Sequence, residues 1–130
     1  MSTLPAKPSV VTSSLLETYQ EAVMRTGVPT DIPSDRLKLA LIGLQDELGE
    51  IAGPLKQYLW HGHTFDIAHL EEEIGDLLWY LALLCNTLNI ALSEVLARNI
   101  SKLHERYPDG FSQERSQQRV EQGERGHDHQ

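Results

Sequence analysis

Chemistry in this sequence concentrates in two short acidic clusters, Glu47-Leu48-Gly49-Glu50 and Glu73-Ile74-Gly75-Asp76. Each places two carboxylates three residues apart, a spacing that projects both from neighbouring positions on one helical face. Two such helices lying side by side bring four negative groups into one small volume. Like charges at that range repel by several kcal/mol unless something positive sits between them. A hard divalent cation is the natural occupant, and a phosphate is the natural ligand for that cation. An all-oxygen, carboxylate-rich set suits Mg²⁺ or Mn²⁺ rather than zinc.

Other titratable residues read differently. A ferritin-like di-iron centre needs two Glu-x-x-His pairs, and this sequence has none. His61 and His63 flank Gly62 and, with one cysteine in the chain, make a poor zinc set; they read as loop or substrate-side residues. Glu71 and Glu72 suit the positive end of a helix dipole. His127 and His129 fall in a polar tail and read as solvated.

The elements that must carry the acids are helices. No strand-like alternation appears, and Gly and Pro fall between apolar-periodic segments, so the chain is expected to be all-α. A first helix is expected from residue 13 or 14 to about 25. A second, capped by Ser34 or Asp35, runs to about 60. A third covers about 66–88, and a fourth runs from 93 to just before Pro108. Residues 1–11 read as a flexible arm, 12–111 as one helical domain and 112–130 as a polar, disordered tail.

Spacing residues about 100° apart puts Leu37, Leu41, Leu44, Leu48, Ile51 and Leu55 on one side of the second helix. Asp46, Glu47 and Glu50 take the other, with Gly43 and Gly53. Glycines 43, 49 and 53 each weaken a helix by about 1 kcal/mol, which implies that something approaches the backbone there. In the third helix Glu73 falls in the sector of Leu70, Leu77, Leu81 and Leu84, with Asp76 at its margin. A carboxylate so placed needs a partner, either a shared metal or an interior Lys or Arg. Leu77 to Cys85 is an unbroken apolar run that three helices cannot cover on every side. Homo-oligomerisation, as a homodimer or homotetramer, is the expected remedy.

Composition narrows the function further. A net charge of −8 argues against a general nucleic-acid or membrane-surface binder. The nine-residue apolar run is far short of the roughly 20 residues needed to span a bilayer. A single Cys85 excludes an internal disulfide, and residues 1–12 show no secretory signal, so a cytoplasmic location is expected.

Taken in order, Gly43-Leu44, Glu47-x-x-Glu50, Lys56, His61-Gly62-His63, Glu73-Ile74-Gly75-Asp76-Leu77-Leu78-Trp79-Tyr80-Leu81, Asn99-x-x-Lys102-Leu103 and Arg106-Tyr107-Pro108-Asp109-Gly110-Phe111 closely resemble the MazG-like nucleoside triphosphate pyrophosphohydrolases. These belong to the all-α NTP pyrophosphatase superfamily, which also holds dimeric dUTPases and a phosphoribosyl-ATP pyrophosphohydrolase. The resemblance covers about residues 35–119. It implies a four-helix bundle and Mg²⁺-dependent hydrolysis between the α and β phosphates, giving a monophosphate and pyrophosphate. It also implies metal ligation by Glu47, Glu50, Glu73 and Asp76. Two features depart from the pattern: Gly53 stands where many relatives are acidic, and Pro54 interrupts the second helix and is expected to kink it.

Hydrolysis of a phosphoanhydride requires an activated water, which Glu47 or Asp46 is placed to orient or deprotonate. Asn99, Lys102 and Arg106 share one stripe of the fourth helix and, with Lys56, can contact phosphate oxygens left bare by metal. Trp60 and Tyr107 can stack on a base, whereas Trp79 reads as core. Arg115 and Arg119 are placed to fold over a neighbouring subunit's pocket. Two other readings compete: a non-enzymatic oligomeric adaptor, favoured by Gly53-Pro54, and a phosphoribosyl-ATP pyrophosphohydrolase.

Overall fold

The computed structural model describes the backbone of residues 10–125 and the side chains of 15–119. Most of the expected N-terminal arm, with His127 and His129, lies outside the described residues. Those residues form five helices and no strand: α1 (Val10–Arg25), α2 (Pro33–His61), α3 (Ile67–Thr87), α4 (Leu92–Arg106) and α5 (Gln113–Arg125). The all-α expectation holds, with five helices in place of four. Contacts divide the chain into two compact units at Ser93/Glu94.

In the first unit, α2 and α3 form an antiparallel hairpin and α1 packs on α3. Val23, Ala40, Ala82 and Leu83 are the buried core, with Tyr19, Val28, Leu39, Trp79, Tyr80 and Leu84 packed around it. Small residues let the two long helices approach. A Cβ on Gly43 would fall inside the Tyr80 ring, so glycine is required there. The expectation that Gly49 and Gly53 also admit a close neighbour is not met, since neither has another group within 4 Å of an added Cβ.

The apolar side of α2 is not the side that meets α3. Ala40, Gly43 and Glu47 face the hairpin, while Leu41, Leu48 and Leu55 are exposed in the monomer, as are Ile42, Leu59 and Trp60. Helical periodicity separates the apolar stripe from the acidic side but does not say which of the two meets α3.

Local signals set the ends. α2 starts at Pro33, whose missing N–H costs nothing in a first turn; Ile32 is the N-cap, without a side-chain cap, in place of Ser34 or Asp35. It runs through Pro54 as one helix and ends at Gly62, whose left-handed φ of 70° lets His63 N–H donate to the Gln57 carbonyl (3.3 Å). Asp66 caps α3, accepting from the backbone N–H groups of Ala68 (3.0 Å) and His69 (3.2 Å).

Gln20 ties α1 to the far end of α3. Its amide donates to Asn86 Oδ1 (2.9 Å) and the Ile90 carbonyl (2.9 Å). Its oxygen accepts from Leu92 N–H (2.8 Å), and Asn86 Nδ2 donates back to the Gln20 carbonyl (2.9 Å). Every polar arm of this nearly buried amide is thereby satisfied. Cys85 is buried as well, and burial pushes its thiol pKa up.

In the second unit the expected disordered tail is corrected: Gln113–Arg125 is helical. Low apolar content made the segment read as unstructured, but Ser112 Oγ accepts from Arg115 N–H (3.3 Å), and Gln, Glu and Arg are strong helix formers. Among the described residues no single helix is long and apolar enough to cross a membrane.

Candidate metal and nucleotide site

The antiparallel register sets the acids one below the other, immediately beyond the core. Moving along α2 from Ala40 to Gly43, Glu47 and Glu50 is matched on α3 by Ala82, Tyr80, Asp76 and Glu73. One potential ligand atom from each of Glu47, Glu73 and Asp76 lies within 4.8 Å of the other two. A second group, within the same limit, joins Glu50, His69 and Glu73. The quartet read from the sequence is therefore gathered by two helices, and Glu73 belongs to both groups.

Glu73 is largely enclosed, with 13% of its side chain exposed. The interior Lys or Arg that would have neutralised it is absent among the described residues. The basic group beside it is His69, with Nε2 3.4 Å from Glu73 Oε1. His69 was not foreseen. Its only signal is the four-residue spacing to Glu73, which puts both on one face of α3; a search for Glu-x-x-His passes over it.

Crowding has an electrostatic signature. The Glu47 carboxyl is raised above the usual carboxylate range, first by loss of solvent, then by a hydrogen bond with Glu73, then by the charges of Asp76, Glu73 and Asp46. Tyr19, reaching in from α1, is raised by burial and then by the charge of Asp76. These groups fit a divalent cation: oxygen donors from two rigid helices, one nitrogen donor, mutual repulsion awaiting a positive charge, and no guanidinium or ammonium filling the space.

A cavity of about 410 Å³ opens beside the acids, lined by Thr26, Gly27, Glu47, Asp76, Trp79 and Tyr80. Trp79 packs against the core as expected, yet its indole also walls this cavity and donates from Nε1 to Thr26 Oγ1 (3.0 Å). Gly27, with φ of 84°, turns the chain there in a conformation that other residues rarely adopt.

A profile of the MazG nucleotide pyrophosphohydrolase domain matches residues 36–111. The chain belongs to this family. It is similar to the Gene 37 protein of Mycobacterium phage L5, with 37% identity over 81 residues, covering 59% of this chain and 71% of the phage protein. No solved structure matches. The MazG match spans nearly all of α2, then α3 and α4 in full; α1, which supplies Tyr19, Thr26 and Gly27 with the turn after it, lies outside it, as does α5.

The remaining expected residues are placed as follows. Asp46 is exposed, outside both ligand groups, and touches the site through its charge on Glu47. Lys56 is exposed on the last turns of α2, and Trp60 is 75% exposed near its end. His61 ends α2 and His63 lies in the connection to α3, both exposed, and the Tyr58 ring of α2 packs 5.3 Å from the Phe65 ring of that connection. Asn99, Lys102, Arg106 and Tyr107 all belong to the second unit; Asn99 and Lys102 are exposed, Arg106 and Tyr107 half-buried.

Proposed function

We propose that this MazG domain is a nucleoside triphosphate pyrophosphohydrolase that cleaves (d)NTPs between the α and β phosphates, yielding a monophosphate and pyrophosphate, in sanitation or regulation of a nucleotide pool. The observation that carries the proposal is the convergence of Glu47, Glu50, Glu73 and Asp76 from two facing helices beside an open cavity. Mg²⁺, or Mn²⁺ in its place, is the proposed cofactor, held by these four acids with His69 beside them. When bound it supplies charge neutralisation on the phosphates and a more acidic water.

The chain's own residues divide the remaining work. Glu73, enclosed and shared between both ligand groups, fixes the spacing of the other acids. Glu47 carries the raised pKa and accepts or relays a proton from attacking water; Asp46 keeps its carboxylate solvated and acts on Glu47 by charge. Trp79 and Tyr80 offer an aromatic wall on which a base can stack. Lys56, Trp60, Asn99, Lys102, Arg106 and Tyr107 remain proposed substrate contacts, the cations for phosphate oxygens and the aromatics for the base.

Self-association completes the proposal. Leu41, Leu48, Leu55, Leu59 and Trp60 on α2 are exposed apolar side chains of the kind that mark an interaction surface when they are contiguous, and a second copy, as a homodimer or homotetramer, would cover them.

The test is product identity. Purified protein is incubated with a panel of (d)NTPs and Mg²⁺, and phosphorus resonance distinguishes monophosphate plus pyrophosphate from diphosphate plus phosphate. Pyrophosphate from at least one nucleotide, lost in Glu50→Gln, is the expected result. Orthophosphate as sole product, or undiminished turnover in the variant, would overturn the reading. Phosphoribosyl-ATP belongs in the same panel, because it presents the same scissile bond.

A further inference from the structure

The cage between α2 and α3 has two halves of different chemistry. Glu47, Glu73 and Asp76 offer oxygen alone, whereas Glu50, His69 and Glu73 offer two oxygens and an imidazole nitrogen; in each group the ligand atoms lie within 4.8 Å of one another. Glu73 is common to both, so the halves differ only in the donors around it. Imidazole is not a donor that magnesium selects. Mg²⁺ favours carboxylate, carbonyl and water oxygens, while nitrogen suits d-block dications.

The surroundings of His69 favour ligation over a simple surface contact with Glu73. A contact of that kind, four residues apart on one helix, needs no third group, yet Glu50 of the facing helix closes on both side chains. The separation of His69 Nε2 and Glu73 Oε1, 3.4 Å, is long for an N–H···O hydrogen bond. It suits two ligands of one ion, because donors about 2.1 Å from a metal lie roughly 3.0–3.4 Å apart at angles between octahedral and tetrahedral. The His69 backbone is held in place, its N–H donating to Asp66 Oδ1 (3.2 Å). The imidazole is also open on one side, with 43% of its side chain exposed, which leaves room for water or phosphate oxygens to fill the remaining coordination positions.

We infer that His69 is a direct metal ligand and the residue that sets metal selectivity: with Glu50 and Glu73 it makes a half-site that takes a first-row transition-metal dication in preference to Mg²⁺. This rests on the metal reading proposed above and goes beyond it, from a cage served by one kind of ion to one whose halves differ in the ion they prefer. Mn²⁺ is the weakest of the series at a nitrogen-containing site and Co²⁺ is tighter, so the two serve as complementary probes.

The experiment uses metal-stripped, full-length protein. Saturating Mn²⁺ is added and its pulsed electron-spin echo is read for coupling to a bound nitrogen; Co²⁺ and Mg²⁺ affinities are measured by calorimetric titration. The wild type should show the nitrogen coupling and bind Co²⁺ about a hundredfold or more tighter than Mg²⁺. His69→Gln should lose the coupling and about tenfold or more of the Co²⁺ affinity, with Mg²⁺ affinity kept within about twofold. His69→Glu supplies an oxygen in place of the nitrogen: it should bind Mn²⁺ without the coupling and narrow the Co²⁺/Mg²⁺ ratio, which a merely misfolded variant would not do. Asp76→Asn, outside this half, should keep the coupling. Saturable Mn²⁺ binding without nitrogen coupling, or equal losses of Co²⁺ and Mg²⁺ affinity in His69→Gln, overturns the inference and leaves the acid cage standing. Absence of binding by either probe overturns both.

Discussion

Two residues on α2 show how closely packing and charge are set against each other. Gly43 sits where any side chain would enter the Tyr80 ring. Gly43→Ala is expected to destabilise the fold by about 1–3 kcal/mol through overpacking, measured by denaturant unfolding, even though alanine is the better helix former. One turn on, Glu47 has a carboxyl pKa raised in the fold, above the ordinary value of 4.5. A raised acid means that the native state binds its proton more tightly than the unfolded chain does. Stability from this group is therefore present at low pH and lost as pH rises through the folded value. In EDTA, the thermal midpoint of the wild type relative to Glu47→Gln should fall as pH climbs from just above 4.5; a constant difference would show that Glu47 is not strained. The quartet itself was legible from residue spacing alone, because acids three apart share a face whatever the tertiary structure. His69 was not, since a histidine becomes a candidate ligand only when the facing helix brings Glu50 to it.

At the scale of elements, helix type and most boundaries followed from caps and breakers, with Asp66 at the head of α3 and Gly62 after α2 as the clearest cases. Asp66 holds the backbone at His69 directly. Asp66→Ala should cost about 1 kcal/mol and also weaken metal-dependent stabilisation, read as the rise in thermal midpoint on adding Mn²⁺; an unchanged rise would separate the cap from the site. What periodicity could not supply was the neighbour of each face. The leucine stripe of α2 looks inward by hydrophobicity, yet α3 takes the small-residue and acidic side, because only Ala40 and Gly43 permit the close approach that places Glu47 beside Glu73 and Asp76. The Gln20–Asn86 pairing was equally hidden, since a buried amide is recognisable only once its partners converge. α5 was misread for the opposite reason: it has little apolar surface, and its helix rests on propensity and a cap.

For the molecule as a whole, the acid cage beside a cavity fits the proposed hydrolase, and the uncovered apolar face on α2 fits the proposed assembly. Sedimentation is expected to show a dimer or tetramer, and Leu48→Lys, placed in the middle of the exposed stripe, should shift it to a smaller species; a wild-type monomer at micromolar concentration would remove the assembly from the account. Every functional statement about the first unit, however, returns to whether acids from two helices act on one cation. The direct measurement is a titration of Mn²⁺ into metal-stripped protein, wild type against Glu73→Gln, since Glu73 is the acid common to both ligand groups. Saturable binding by the wild type, weakened about tenfold or more in the variant, is the predicted result. Saturable binding unaffected by loss of the Glu73 charge, or none in either protein, would contradict it.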